Sequence, residues 1–285
     1  MNVSEKSGQT AAPLAPIGIP PFPAVAIKAL QLVSSGHAQF RELNEMLKID
    51  TALSSEILRV ANSALYGIPE VFESVSRATV YLGLERTRGV ILTVAMRRYF
   101  GEESGAAWVQ NCWRHSLGCA LIAEGIAQKT KRAEQDVAYT ASLMHDMGRL
   151  AIAVAYPDEY GGFLTKSTEQ VSPAVLQQER DLFGVSHCEA GSSLASFWQL
   201  PETLASVMSQ HHEPAAQGDS DLLSIVRLSC RAATALDFAV VRSVDAGAYD
   251  QLLKQLPERE RALLPQDAAE LRGRIETTIR LLELK

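Results

Sequence analysis

The chain has 285 residues, 47% hydrophobic and 21% charged, a balance ordinary for a globular protein with a core that needs no covalent staples. Its 27 basic residues are outnumbered by 33 acidic ones, giving a net charge of −6, which argues against broad electrostatic attachment to nucleic acid. No apolar run approaches the ~20 residues that cross a bilayer, and the start lacks the basic-then-apolar pattern of a secretory signal. Residues 1–17, rich in Ser, Ala, Pro and Gly, read as a flexible tail. Beyond them the periodicity is helical and strand alternation is absent, so an all-α fold is expected.

Pro23 opens the first helix and Gly36 closes it, leaving His37 in a loop. Phe40, Leu43, Met46 and Leu47 mark a second helix, and Asp50 caps a third that stops at Gly67 and Pro69. Ser74 caps a helix ending near Gly83, and a longer one runs from Glu85 to Phe100. Arg86, Arg88, Arg97 and Arg98 read as a solvated face of it. The turn at 101–105 marks a seam between lobes. Helices follow at 107–129 and 135–154, the latter apolar all round and therefore buried. Pro173 begins a helix that ends at Gly184. Ser186 and Glu189 form a capping box that puts His187 in the first turn of the next. Pro201 starts a helix ending in His211 and His212. Further helices cover 219–241 and 246–264, and Asp267 caps the last.

The four cysteines, Cys112, Cys119, Cys188 and Cys230, form no C-x-x-C pair and read as reduced thiols in a cytoplasmic protein. Five of the six histidines fall on or at the ends of predicted helices: His115, His145, His187, His211 and His212. Buried histidines commonly just hydrogen-bond in a core. The other reading is a metal site, because His145 and the adjacent Asp146 point only about 100° apart on a helix and can reach one cation. Imidazole plus carboxylate suits Fe first, then Zn, Ni or Mn.

The string LMHDMGRL at 143–150, with His115 some 30 residues earlier, resembles the histidine–aspartate signature of the HD superfamily of metal-dependent phosphohydrolases. PPFPAVAIKALQLV (20–33), LKIDTALSSEILRVANSALYG (47–67), VSRATVYLGLERTRGVIL (75–92), ERDLFGVSHCEAGSSLASFWQLP (179–201) and HHEP (211–214) resemble the HDOD domain, the HD-related output domain of bacterial signalling proteins. This likeness covers about residues 18–240. It implies an all-α HDOD fold, with an N-terminal helical lobe (18–105) packed on an HD-like lobe (106–242), followed by a C-terminal helical extension (243–285). Compared with the related HD-GYP phosphodiesterases, it implies metal ligands at His115, His145, Asp146, His187, His211 and His212. Three positions depart from that pattern: Asn111 replaces a glutamate, Arg149 replaces a lysine, and Cys230 stands where a closing aspartate is expected. The Gly-Tyr-Pro motif is absent.

A thiolate at Cys230 could still coordinate Zn or Fe, whereas a neutral thiol leaves the site one anion short. The resemblance therefore implies mainly a regulatory protein-interaction domain with a degenerate metal site. The alternative is a metal-dependent phosphohydrolase of nucleotides or cyclic dinucleotides, using Asp146 with Arg149 on the phosphate. Arg149 reads equally well as a salt-bridge partner. The expected partners are signalling proteins, without membrane or nucleic acid. Asn62, Leu65, Tyr66 and Ile68 form a short turn-ended apolar segment, read either as a partner-facing loop or as packing between the lobes.

Overall fold

Capping and hydrophobic periodicity are realised as helices alone among the residues described in this computed structural model, which are 24–31, 37–63, 71–102, 107–166, 173–213, 221–240 and 248–283. The flexible tail read over residues 1–17 lies outside them, as does most of the expected seam.

Four helices build the N-terminal part: α1 (Ala24–Gln31), α2 (His37–Ile49), α3 (Thr51–Ala61) and α4 (Val75–Glu102). His37 begins α2 rather than lying in a loop. Asp50 caps α3, its carboxylate accepting the Leu53 N–H at 2.8 Å. Gly83 interrupts α4 at φ 77, ψ 170, as its sequence position predicts. Leu30, Leu43, Ile57 and Val60 pack with Ile91 and Val94 in one core, so α1, α2 and α3 all lie against α4.

The second part contains α5 (Ala107–Thr130), α6 (Gln135–Met144), α7 (Met147–Ala155), α8 (Pro157–Lys166), α9 (Pro173–Phe183), α10 (His187–Phe197), α11 (Glu202–Gln210) and α12 (Asp221–Ala235). α5 packs on α6 and α12, and α10 packs on α7 and α11. The single helix expected over 135–154 is two. His145 still has helical angles, but Asp146 at φ −99, ψ 11 leaves the helix and becomes the N-cap of α7. Neither His145 nor Asp146 is Gly or Pro, and the nearest glycine, Gly148, already lies inside α7, where it packs against α10. Gly148 lies so close to α10 that an added methyl would overlap the His187 carbonyl oxygen.

α8 was not foreseen from the sequence. Pro157 at its first position and Asp158 and Glu159 in its first turn are ordinary start signals, masked by the Gly161-Gly162 pair. A methyl at Gly161 would press on the Trp108 indole, so this glycine lets α8 close onto α5.

The remaining helices are α13 (Ala248–Gln255), α14 (Glu258–Arg261) and α15 (Ala268–Glu283). The continuous helix expected over 246–264 is broken at Pro257, whose extended backbone starts α14. Asp267 caps α15 by accepting the Glu270 N–H at 2.9 Å.

α6 joins the two parts. Arg88 of α4 is buried and pairs with Asp136 at the start of α6, and the Tyr139 and Thr93 hydroxyls hydrogen-bond at 2.6 Å. Arg97 and Arg98 both donate to Glu56 of α3, at 2.9 and 2.7 Å. Three of the four arginines read as a solvated face therefore tie helices together. No helix among the described residues is long and apolar enough to cross a membrane.

Candidate metal centre

Asp146 sits at the centre of a buried cluster fed by five elements. α5 supplies His115 from its middle, and the α6–α7 junction supplies His145 and Asp146. His187 is the first residue of α10, held there by the reciprocal Ser186–Glu189 capping box. His211 and His212 follow α11, and Cys230 comes from α12. His115 and His145 approach Asp146 Oδ2 at 3.8 and 3.9 Å. His187 and His211 approach Oδ1 at 3.4 and 3.3 Å. The His212 ring lies 4.3 Å from that of His211 and 4.9 Å from that of His187, centre to centre. All six side chains named from the sequence thus converge.

The rings are aimed by their other nitrogens. The Nδ1 atoms of His115, His145 and His211 lie 2.8, 2.6 and 3.1 Å from the carbonyl oxygens of Phe238, Ser142 and Val207. His187 Nδ1 lies 2.6 Å from Glu179 Oε2, which also accepts the His187 backbone N–H at 2.8 Å. Carbonyls and carboxylates only accept, so each Nδ1 carries a proton and each Nε2 is left facing inward. The Nε2 atoms of His145, His187, His211 and His212, together with Asp146 Oδ1, are buried without a hydrogen-bond partner. Ordinary core histidines satisfy both nitrogens, so this arrangement departs from the packing reading. Lone pairs converging on a carboxylate need positive charge between them. The cluster supplies donors that could hold a metal, in two groups whose ligand atoms lie within 4.8 Å of one another. One is Asp146, His187, His211 and His212; the other is His115, Cys119, His145 and Cys230.

Protons can stand in for a cation. Burial and the Arg149 charge oppose a proton on His187, yet Glu179 and Cys188 hold its pKa up at about 9. Burial likewise opposes ionisation of Asp146, but Arg149 and His145 keep it well below the ordinary carboxylate value.

Arg149 is 2% exposed. Its Nε donates to Asp146 Oδ2 at 2.9 Å, and one terminal nitrogen donates to Glu179 Oε1 at 3.2 Å. The salt-bridge reading of Arg149 is the one its contacts match. Tyr160 of α8 donates to the same Glu179 oxygen at 2.8 Å. Asn111 turns its amide toward the Val240 carbonyl at 3.4 Å. Asn62 brackets Phe72, donating to its carbonyl at 2.9 Å and accepting its N–H at 2.8 Å. Leu65, Tyr66 and Ile68 lie outside the described residues.

Two contributors escaped the sequence reading. Glu179 holds both His187 and Arg149; its clue was a lone glutamate eight residues before His187. Cys119 lies one helical turn after His115, an i,i+4 spacing that faces the same way. Beside the cluster a cleft of about 490 Å³ is lined by His211, His212 and Cys230 and by Arg132, Arg227, Arg231 and Arg259.

An all-α bundle that gathers histidines around a His-Asp step at a helix junction has the architecture of the HD class. The HDOD domain profile matches residues 19–214, and the chain belongs to the HDOD family. The match ends before α12, although α12 completes the cluster with Cys230. An HDOD domain protein of Geobacter sulfurreducens has the same fold, with a TM-score of 0.74 at 24% identity, covering 91% of this chain and 93% of that one. So does a Marinobacter aquaeolei VT8 protein provisionally named for signal transduction, with a TM-score of 0.68 at 19% identity over 93% and 60%. A Shewanella amazonensis SB2B protein provisionally named a phosphohydrolase gives 0.62 at 20% identity over 94% and 93%. An uncharacterized protein of Treponema pallidum (strain Nichols) is 25% identical over 200 residues, which is 68% of this chain; the match spans only 37% of that relative.

Proposed function

We propose that this is a regulatory HDOD domain of a signal-transduction system, with a transition metal in the histidine–aspartate cluster and contact with a partner protein as its output. The observation that carries the reading is the make-up of the cluster. Inward-facing Nε2 atoms surround a single carboxylate, whose neighbouring cation Arg149 is committed to Asp146 and Glu179. Asp146, His187, His211 and His212 would hold the ion, with Fe favoured and then Zn, Ni or Mn. A bound ion of this kind supplies Lewis acidity and lowers the pKa of its water. What this chain lacks around it is a free cation for a phosphate at Arg149, a carboxylate at Asn111 and a carboxylate at Cys230.

Asp146→Ala, assayed by elemental analysis of the purified protein, should lose most of the metal; unchanged content would overturn the metal assignment.

The partner surface is assigned to the N-terminal lobe around Asn62, Leu65, Tyr66 and Ile68. Val71, which follows that segment in the chain, and Val80 and Tyr81 of α4 are exposed apolar side chains of the same lobe. Tyr66→Ala should leave melting nearly unchanged while abolishing partner binding. A large melting loss would instead make Tyr66 a packing residue.

A second reading, a metal-dependent phosphohydrolase of nucleotides or cyclic dinucleotides, is favoured by the four-arginine cleft reaching His211 and His212, since guanidinium forks bind phosphate oxygens well. Metal-loaded protein is expected to leave cyclic di-GMP intact. Turnover near ~1 s⁻¹, an ordinary enzyme rate, would replace the regulatory reading with this one.

A further inference from the structure

Cys119 and Cys230 bring sulfur to the face of the cluster opposite His187 and His211. Cys119 Sγ lies 3.5 Å and Cys230 Sγ 3.6 Å from His115 Nε2. With a ring nitrogen of His145, the ligand atoms of these residues all fall within 4.8 Å of one another. None of the four residues is more than 3% exposed. Both thiols are free, and His145 Nε2 is buried without a hydrogen-bond partner. The elements that hold them are independent: α5 gives His115 and Cys119 one turn apart, the end of α6 gives His145, and α12 gives Cys230.

We propose that His115, Cys119, His145 and Cys230 form a thiolate metal site for zinc or another thiophilic divalent cation, distinct from the position at Asp146, His187, His211 and His212. Two sulfurs and two imidazole nitrogens are a donor set of four-coordinate zinc. Thiolates also select Zn and Fe over Mg, Ca and Mn. The charges balance: each thiol gives its proton to solvent as the cation enters, and two thiolates neutralise a divalent ion. Simple packing of the cysteines as small apolar groups does not account for two thiols and two imidazole nitrogens brought within 4.8 Å of one another. Asp146 stands between the two donor sets, Oδ2 toward His115 and His145 and Oδ1 toward His187 and His211. Within the two donor sets sulfur belongs to one alone, since Cys188 Sγ lies 3.8 Å from His211 Nδ1, the ring nitrogen that also faces the Val207 carbonyl, so the two positions differ in cation preference.

The assignment rests on the reading of this cluster as a metal centre, and one cobalt titration of the full chain separates the two. Wild-type protein should bind about two equivalents of Co²⁺ and develop a near-ultraviolet sulfur-to-cobalt charge-transfer band. Cys119→Ser and Cys230→Ser should each lose that band and about one equivalent. Cys112→Ser, buried on the same helix but outside both donor sets, should keep both. His212→Ala should lose the other equivalent and keep the band. Bound cobalt with no charge-transfer band, or a band unchanged in both Cys119→Ser and Cys230→Ser, overturns the thiolate site and leaves the Asp146 site standing. A cysteine-dependent band with no cobalt lost in His212→Ala or His187→Ala supports the thiolate site and overturns the Asp146 site. Zinc-edge X-ray absorption of the unmodified protein guards against misfolded variants. Sulfur scattering at about 2.3 Å is expected, and nitrogen and oxygen neighbours alone would overturn the proposal.

Discussion

Glu179→Ala should destabilise the protein by about 3–5 kcal/mol, the cost of leaving a buried charge without its partner. Glu179 is fully buried and serves three groups at once. It accepts from Arg149, from the Tyr160 hydroxyl and from both the ring and the backbone of His187. Its loss also frees the His187 ring to rotate, so metal content should fall along with stability. The acid limb of the unfolding curve tests the same bond. Burial alone would raise the Glu179 pKa, but His187 and Arg149 hold it at about 2, below an ordinary 4.5. A carboxylate lowered in the folded state stabilises above its unfolded pKa, and that contribution is lost as pH falls through the folded one. Wild-type stability should therefore drop between pH 4.5 and 2, and Glu179→Gln should flatten that part of the curve. Urea unfolding that shows under 1 kcal/mol for Glu179→Ala would contradict this account.

Gly148→Ala should cost more than the roughly 1–3 kcal/mol of an ordinary extra methyl in a core. The obstacle is the His187 carbonyl, a backbone atom that no rotamer change can move. The start of α7 would be pushed off the start of α10, separating Asp146 from His187. A sharp fall in melting temperature together with loss of metal is expected. Melting within a degree or two of wild type would mean that the two helices are not locked at this point.

The helix ends were legible in the sequence where their chemistry is local. Asp50, Ser186 and Asp267 announce caps with their own side chains, and Gly83 and Gly184 adopt the positive φ that their positions predict. The break at His145–Asp146 was not legible, because Asp146 and Gly148 sit inside an otherwise apolar run that reads as one buried helix. It comes from contact with α10, more than 40 residues away in the chain. The histidines and Asp146 could be named because motif spacing identifies them. Glu179 and Cys119 could not, since a glutamate on a helix and a cysteine in an apolar stretch have many ordinary explanations until their neighbours are known. Arg149 shows the same limit: its residue type suited either phosphate or carboxylate, and only the placement of Glu179 decides its contacts.

α6 is ten residues long, about 15 Å from end to end. Its first turns are fastened to α4 through Asp136 and Tyr139, and its last residue leads directly into His145 and Asp146. A helix this short has no joint along its length and behaves as a strut. One end of it therefore carries the His-Asp pair and the other is anchored to Arg88 and Thr93. The buried His-Asp pair and the helices of the N-terminal part are thus joined through one short, unbroken element, with no mobile segment between them.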